Sequence, residues 1–350
     1  MKAITVEPMK PETARLEEVA EPDMSDGSVL VEAIAVGVCG TDVEIVEGKY
    51  GWAPPEKTRL VLGHESLGRV IDPGPSKGLK KGDLVVGIVR RPDPIPCSNC
   101  AVGEWDMCHN GQYTERGIKQ INGYMSDRWR IEPEYAIKVD PTLGILGVLL
   151  EPTTVVAKAW EMAIATGFGR RSFWEPRNVL VTGAGPIGLL AAMIGVQRRL
   201  DVHVLDRVTS GLKVDLVKAL GATYHATSVA DVDFSPDIII ECTGVGQVIG
   251  ESLLKAAAGG VVCLTGVGSG GSVGMHTADV AASVVLRNNV IVGSVNANKR
   301  HWYKAAEALA RADRKWLAGL ITRREKPENF KQALERKPDD IKVIIQFSEV

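Results

Sequence analysis

The sequence predicts an α/β protein in two parts, a partly open β-barrel and a doubly wound parallel sheet. Three observations point there. The chain has 350 residues, more than one ordinary core accommodates. Its first hundred or so residues form short β-rich runs broken by proline and glycine. From residue 178 onward, strand-like and helix-like segments alternate, which implies βαβ units.

In the first part, Val29 to Val36 and Gly82 to Val89 are apolar, β-rich runs suited to a barrel wall. Thr153 to Thr166 carries helical periodicity and leads into a basic, aromatic connector ending at Pro176. The alternation then runs strand 178–182, helix 187–199, strand 202–205, helix 212–220, and strands 237–241, 260–265 and 290–295. From His301 the chain returns to mixed helix and strand.

The composition, 45% hydrophobic and 24% charged, is that of a soluble globular protein. With 41 basic and 43 acidic side chains the net charge is -2, which leaves no footprint for nucleic acid or an anionic membrane. The uncharged run Val179 to Val196 is long enough to suggest a membrane span. Its four glycines, its proline and its β-branched start instead read as strand, tight turn and helix. The N-terminus lacks a basic-then-apolar leader, so a cytoplasmic protein is expected. In that reducing setting the six cysteines are thiols, and the cluster Cys97, Cys100 and Cys108 reads as metal-binding. Cys242 and Cys263 fall in or beside sheet strands and read as buried structural thiols.

Gly183-Ala184-Gly185-Pro186-Ile187-Gly188 follows a strand and opens a helix, the setting in which such a motif binds a dinucleotide. Gly183 permits the turn, Gly185 lets the backbone approach a pyrophosphate, and Gly188 lets helix and strand pack closely. The N–H groups of the helix start face the phosphates. Asp206, 18 residues beyond Gly188, can accept both hydroxyls of an NAD ribose, whereas Arg207 beside it could pair with the 2′-phosphate of NADP. NAD is favoured, with NADP as the second acceptor.

Cys39-Gly40-Thr41-Asp42, Gly63-His64-Glu65 and Glu151-Pro152 offer a thiolate, an imidazole and carboxylates. Converging on one point, they would make a zinc site with an open position, as a catalytic zinc requires. In the second cluster, Cys97, Cys100 and Cys108 are one ligand short of a closed structural site. Asp93 is the nearest fourth, with His109 the other candidate.

In kind and order these motifs resemble the zinc-containing medium-chain dehydrogenases over nearly the whole chain, the run Gly82-Asp83-Leu84-Val85 included. Several stretches resemble the archaeal-type glucose dehydrogenase subgroup: Val43-Glu44-Ile45, Val89-Arg90-Arg91-Pro92, Tyr113 to Ile118, Gly123-Tyr124-Met125, Gly293-Ser294-Val295-Asn296 and Ile345-Gln346-Phe347-Ser348. The resemblance implies a GroES-like catalytic domain over 1–174, a Rossmann domain over 175–299 and completion of the catalytic part by 300–350. It places the active site in the cleft between domains. Onto this sequence it carries a catalytic zinc on Cys39, His64, Glu65 and Glu151, the two carboxylates binding directly or through water. It assigns Thr41 to the reacting hydroxyl, Glu115 and Glu151 to the sugar, and Asn296 to the nicotinamide and sugar. Pro186, Ile187, Thr243 and Gly244 join the cofactor residues.

The implied reaction is oxidation of an aldose at C1, glucose foremost, to the aldonolactone, with the proton leaving through Thr41 and Glu65 or Glu44. Relatives assemble as homodimers or homotetramers through the Rossmann domain. The chain departs from the pattern at the missing first cysteine of the lobe, and at Val89 and Val155 where sugar-binding relatives carry polar or acidic residues. Strict glucose selectivity is thereby put in question. His301 reads as a surface residue. The competing readings are a polyol, threonine or other sugar dehydrogenase and, from another class, a nucleotide-binding redox sensor without turnover.

Overall fold

The computed structural model describes residues 1–268, 274–275 and 277–350. They form two compact units: 1–151 with 297–350, and 152–296.

In the first unit, Val29–Gly37 is the central strand of a seven-stranded sheet. It pairs antiparallel with Glu65–Asp72, Arg128–Ile131 and Lys342–Gln346. Alternating apolar side chains turn one face inward, so Val29, Val31, Ala33 and Ala35 are buried, joined by Leu67, Trp129 and Ile345. Lys342–Gln346 comes from the far end of the chain, so the C-terminus completes this unit. Two three-stranded sheets flank it, one built on Lys2–Val6 and one on Thr114–Arg116.

The second unit is a six-stranded parallel sheet in the order Thr223–His225, Asp201–Leu205, Asn178–Thr182, Ile238–Glu241, Val261–Leu264, Val290–Gly293. Counted along the chain this is 3-2-1-4-5-6, the doubly wound order whose switch point lies beside the first strand. The central strands are continuous apolar runs because helices cover both faces. The helix expected at 187–199 is Pro186–Gln197, with a proline at its first position. Helices Gly246–Lys255 and Thr277–Arg287 and strand Thr223–His225, all unforeseen, complete the alternation.

The unit boundary falls at 151/152, earlier than the expected 174/175, and the return falls at 297 rather than 300. The cause is the helix Leu150–Gly169. From Pro152 it packs with the parallel sheet's helices, and its Trp160 indole donates to the Ala191 carbonyl at 3.0 Å. Val179 to Val196 folds as strand, turn and helix. Among the described residues, the helical stretch long and apolar enough to cross a membrane is Pro141–Gly169, with 72% of its apolar window buried inside the protein, as in a core helix.

Candidate active site

Cys39 precedes the short helix Gly40–Val46, and its N–H donates to Asp42 Oδ2 at 2.9 Å, which fixes the turn. His64 and Glu65 stand at the start of strand Glu65–Asp72. The register sets Glu65 opposite Gly37, so the strand pairing carries Glu65 alongside the Cys39 turn. A Cβ on Gly37 would lie 2.0 Å from Glu65 Oε2, so only glycine leaves that carboxylate its place. The ligand atoms of Cys39, His64 and Glu65 all fall within 4.8 Å of one another. His64 and Glu65 are buried and Cys39 is half-buried.

Two partners of this group escaped the sequence reading. Asp42 is fully buried, and its Oδ1 faces His64 Nδ1 at 3.5 Å. A carboxylate there orients the ring and leaves Nε2 for a metal. Burial works to lower the imidazole's pKa, but Asp42 and Cys39 outweigh it and hold His64 well above its ordinary value. Lys342 Nζ, also buried, donates to both Glu65 oxygens at 2.7 Å and to the Val38 carbonyl at 3.1 Å. Burial opposes its charge, while Glu65 and then Cys39 sustain it, so its pKa is raised. A lone lysine opening the apolar strand Lys342-Val-Ile-Ile was the available signal, but its partner lies 277 residues away.

Glu151 is buried outside the three-residue ligand group. Burial pushes its carboxyl up to about 7; His64 pulls it down, and Glu65 pushes it up further. The dense charge around Cys39, His64 and Glu65 is what a bound dication would balance. One sulfur, one nitrogen and carboxylate oxygen at this spacing fit zinc with a position left open.

Glu115 is buried in strand Thr114–Arg116 of the same unit. It faces Arg90, whose Nε and Nη2 both lie 3.0 Å from Oε1 and whose guanidinium stacks 3.7 Å from the Tyr113 ring centroid. Glu115 is thus a buried, paired carboxylate rather than a solvated one. His301 is a correction: it is 1% exposed, not on the surface. Asn298 caps the helix Lys299–Arg311, its N–H reaching His301 Nδ1 at 3.1 Å and its amide reaching Asp106 at 2.8 Å.

Cys97, Cys100 and Cys108 also bring their sulfurs within 4.8 Å of one another. Asp93 and His109 do not join them. Asp93 Oδ1 accepts from the Ile95 N–H at 2.8 Å, which turns the carboxylate along its own chain, while Oδ2 is buried without a hydrogen bond. His109 Nε2 faces the Asn99 amide at 3.1 Å. Cys263 is a buried thiol pushed up to about 12 by burial, and Cys242 is half-buried.

In the second unit Gly183 has φ 88°, and a Cβ on Gly188 would lie 1.7 Å from the Gly183 carbonyl oxygen, so the glycines are sterically required. Asp206 Oδ2 accepts from the Ala184 N–H at 2.6 Å and Oδ1 from the Arg207 N–H at 2.7 Å, while the Arg207 side chain is exposed. Asn296 sits in the left-handed region with φ 59°, beside Val295, whose carbonyl accepts from buried Lys158 at 2.9 Å.

Two family models divide the chain between them. The alcohol dehydrogenase GroES-like domain matches residues 25–141, and the glucose dehydrogenase C-terminus matches residues 144–347. The chain is 42% identical to glucose 1-dehydrogenase 2 of Vulcanisaeta moutnovskia over 353 residues, 99% of each. It is 39% identical to glucose 1-dehydrogenase 1 of Caldivirga maquilingensis, again over 99% of each. The chain belongs to the glucose dehydrogenase branch of the zinc-dependent medium-chain dehydrogenases. Glucose dehydrogenase of Haloferax mediterranei, solved in complex with NADP, Zn and gluconolactone, superposes with a TM-score of 0.91 at 33% identity, covering 100% of both chains. Membership in this glucose dehydrogenase branch accounts for a GroES-like unit that returns at the C-terminus and for the Rossmann sheet between its two pieces.

Proposed function

We propose that this chain oxidises an aldose, D-glucose first, at C1. The sugar loses a hydride to NAD or NADP and a proton to solvent, giving the aldonolactone. The observation that carries the reading is the convergence of half-buried Cys39 with buried His64 and Glu65. The Haloferax mediterranei relative, whose complex holds NADP, Zn and gluconolactone, supports it.

Zinc bound by Cys39, His64 and Glu65, with Glu151 direct or through water, would supply a Lewis acid that acidifies the C1 hydroxyl. Asp42 orients His64, and Lys342 holds Glu65 in place. Thr41 accepts the hydroxyl's hydrogen bond, and Glu65 or Glu44 passes the proton outward. Glu115, fixed by Arg90, accepts from sugar hydroxyls, and Asn296 lies toward the nicotinamide. Gly183, Gly185, Pro186, Ile187 and Gly188 receive the pyrophosphate, with Asp206 on the adenosine ribose and Arg207 available to a 2′-phosphate. A second zinc would sit on Cys97, Cys100 and Cys108, and Asp93, whose Oδ2 is buried and unbonded, would complete it only by turning away from the Ile95 N–H. Six unpaired thiols suit a cytoplasmic protein.

The test is Cys39→Ser and His64→Ala, each assayed for bound zinc and glucose turnover. Loss of one zinc per chain together with turnover is expected. Turnover near that of the parent protein in either variant would sink the zinc mechanism.

A further inference from the structure

Glu241 closes strand Ile238–Glu241 and is fully buried, yet no role in the chemistry above falls to it. Its carboxylate accepts from the Thr243 N–H at 2.7 Å, the Thr243 hydroxyl, and the Gly244 N–H at 3.2 Å to either oxygen. It also accepts from the Thr182 hydroxyl at 3.1 Å. Thr182 ends strand Asn178–Thr182, immediately before Gly183. The Glu241 carbonyl in turn accepts from the Thr265 and Gly266 N–H groups at 2.9 and 3.1 Å. One residue therefore ties together three connections leaving the carboxyl ends of neighbouring parallel strands, the edge along which such sheets bind ligands.

The packing leaves these connections little freedom. A Cβ on Gly266 would lie 2.2 Å from the Gly244 nitrogen, and Gly244 itself has φ 66°. A fully buried carboxylate is costly unless donors surround it, and a neutral side chain could close the same turn at lower cost. The use of an anion here calls for a reason beyond the turn.

We propose that Glu241 is a positioning residue for the dinucleotide. It locks the Cys242–Gly244 connection against the glycine-rich one. It also occupies the Thr243 and Gly244 N–H groups, so that neither is left to hold a phosphate. Phosphate is left to the N–H groups at the start of helix Pro186–Gln197. The inference rests on the dinucleotide reading above.

The test is direct titration of the zinc-loaded full chain and of E241Q and E241M with NAD and NADP, alongside KM for glucose at saturating cofactor and the melting temperature. E241Q sets an amide N–H against the Gly244 N–H and removes the charge. Its cofactor Kd should rise about tenfold, the cost of one charge-assisted bond. Glucose KM, zinc content and kcat at saturating cofactor should hold. E241M, if it folds, should weaken cofactor binding further. A cofactor Kd within twofold of the parent in E241Q, or a glucose KM that moves in step with it, would overturn the role. A parent protein that binds neither NAD nor NADP would instead overturn the dinucleotide reading itself.

Discussion

At the scale of single residues, the metal-binding group depends on neighbours that touch no metal. Lys342 neutralises Glu65 from behind, and Asp42 faces Nδ1 of His64. A carboxylate released from its lysine would gain freedom to swing, and the geometry of all three ligands would loosen. Partners of this kind cost about 10–100-fold in metal affinity or activity when removed. Lys342→Met is therefore expected to lower zinc affinity and glucose turnover within that range, while NAD or NADP binding, measured by titration, stays at the parent value. Equal loss of cofactor affinity would show that Lys342 serves general folding rather than the metal group.

At the scale of elements, strand Val290–Gly293 is one edge of the parallel sheet, with no strand paired beyond it among the described residues. Ile291 is 41% exposed on it, and helix Thr277–Arg287 buries none of its residues, with Leu286 80% exposed. An uncapped edge beside apolar surface is a site for pairing with another strand. A second copy pairing here would make the homodimer, or by further association the homotetramer, that the resemblance implies. Ile291→Glu would place like charges across such an edge. It should shift the sedimentation profile to monomer, whereas an unchanged assembly would place the interface elsewhere.

Elements were also where the sequence was most and least legible. Strand Asn178–Thr182 is legible to the residue because β-branched residues run straight into a glycine turn. Helix Thr277–Arg287 was missed because its alanine, valine and serine lack a buried stripe. The grouped residues Cys39, His64 and Glu65 stand out by residue type beside glycine turns. Lys342, Arg90 and Glu241 do not, since each acquires its meaning from a partner across a strand register or a chain return. Asp93 shows what spacing leaves out: it stands four residues before Cys97, but a two-residue turn claims one of its oxygens.

At the scale of the whole molecule, each unit carries residues suited to half of the proposed redox reaction. One gathers a half-buried thiol, a buried imidazole and buried carboxylates with a paired Glu115, and the other builds a glycine-rich turn and an acidic strand end. Val89 and Val155 remove polar partners a sugar could use, so related aldoses should compete with glucose more closely than a fully polar pocket would allow. The most direct test is the initial rate of nicotinamide reduction with NAD and with NADP, across aldoses, polyols, threonine and simple alcohols, before and after a chelator and on return of zinc. The account predicts turnover of glucose or a close epimer that the chelator abolishes and zinc restores. Turnover confined to polyols or threonine, or sugar oxidation indifferent to the chelator, would contradict it.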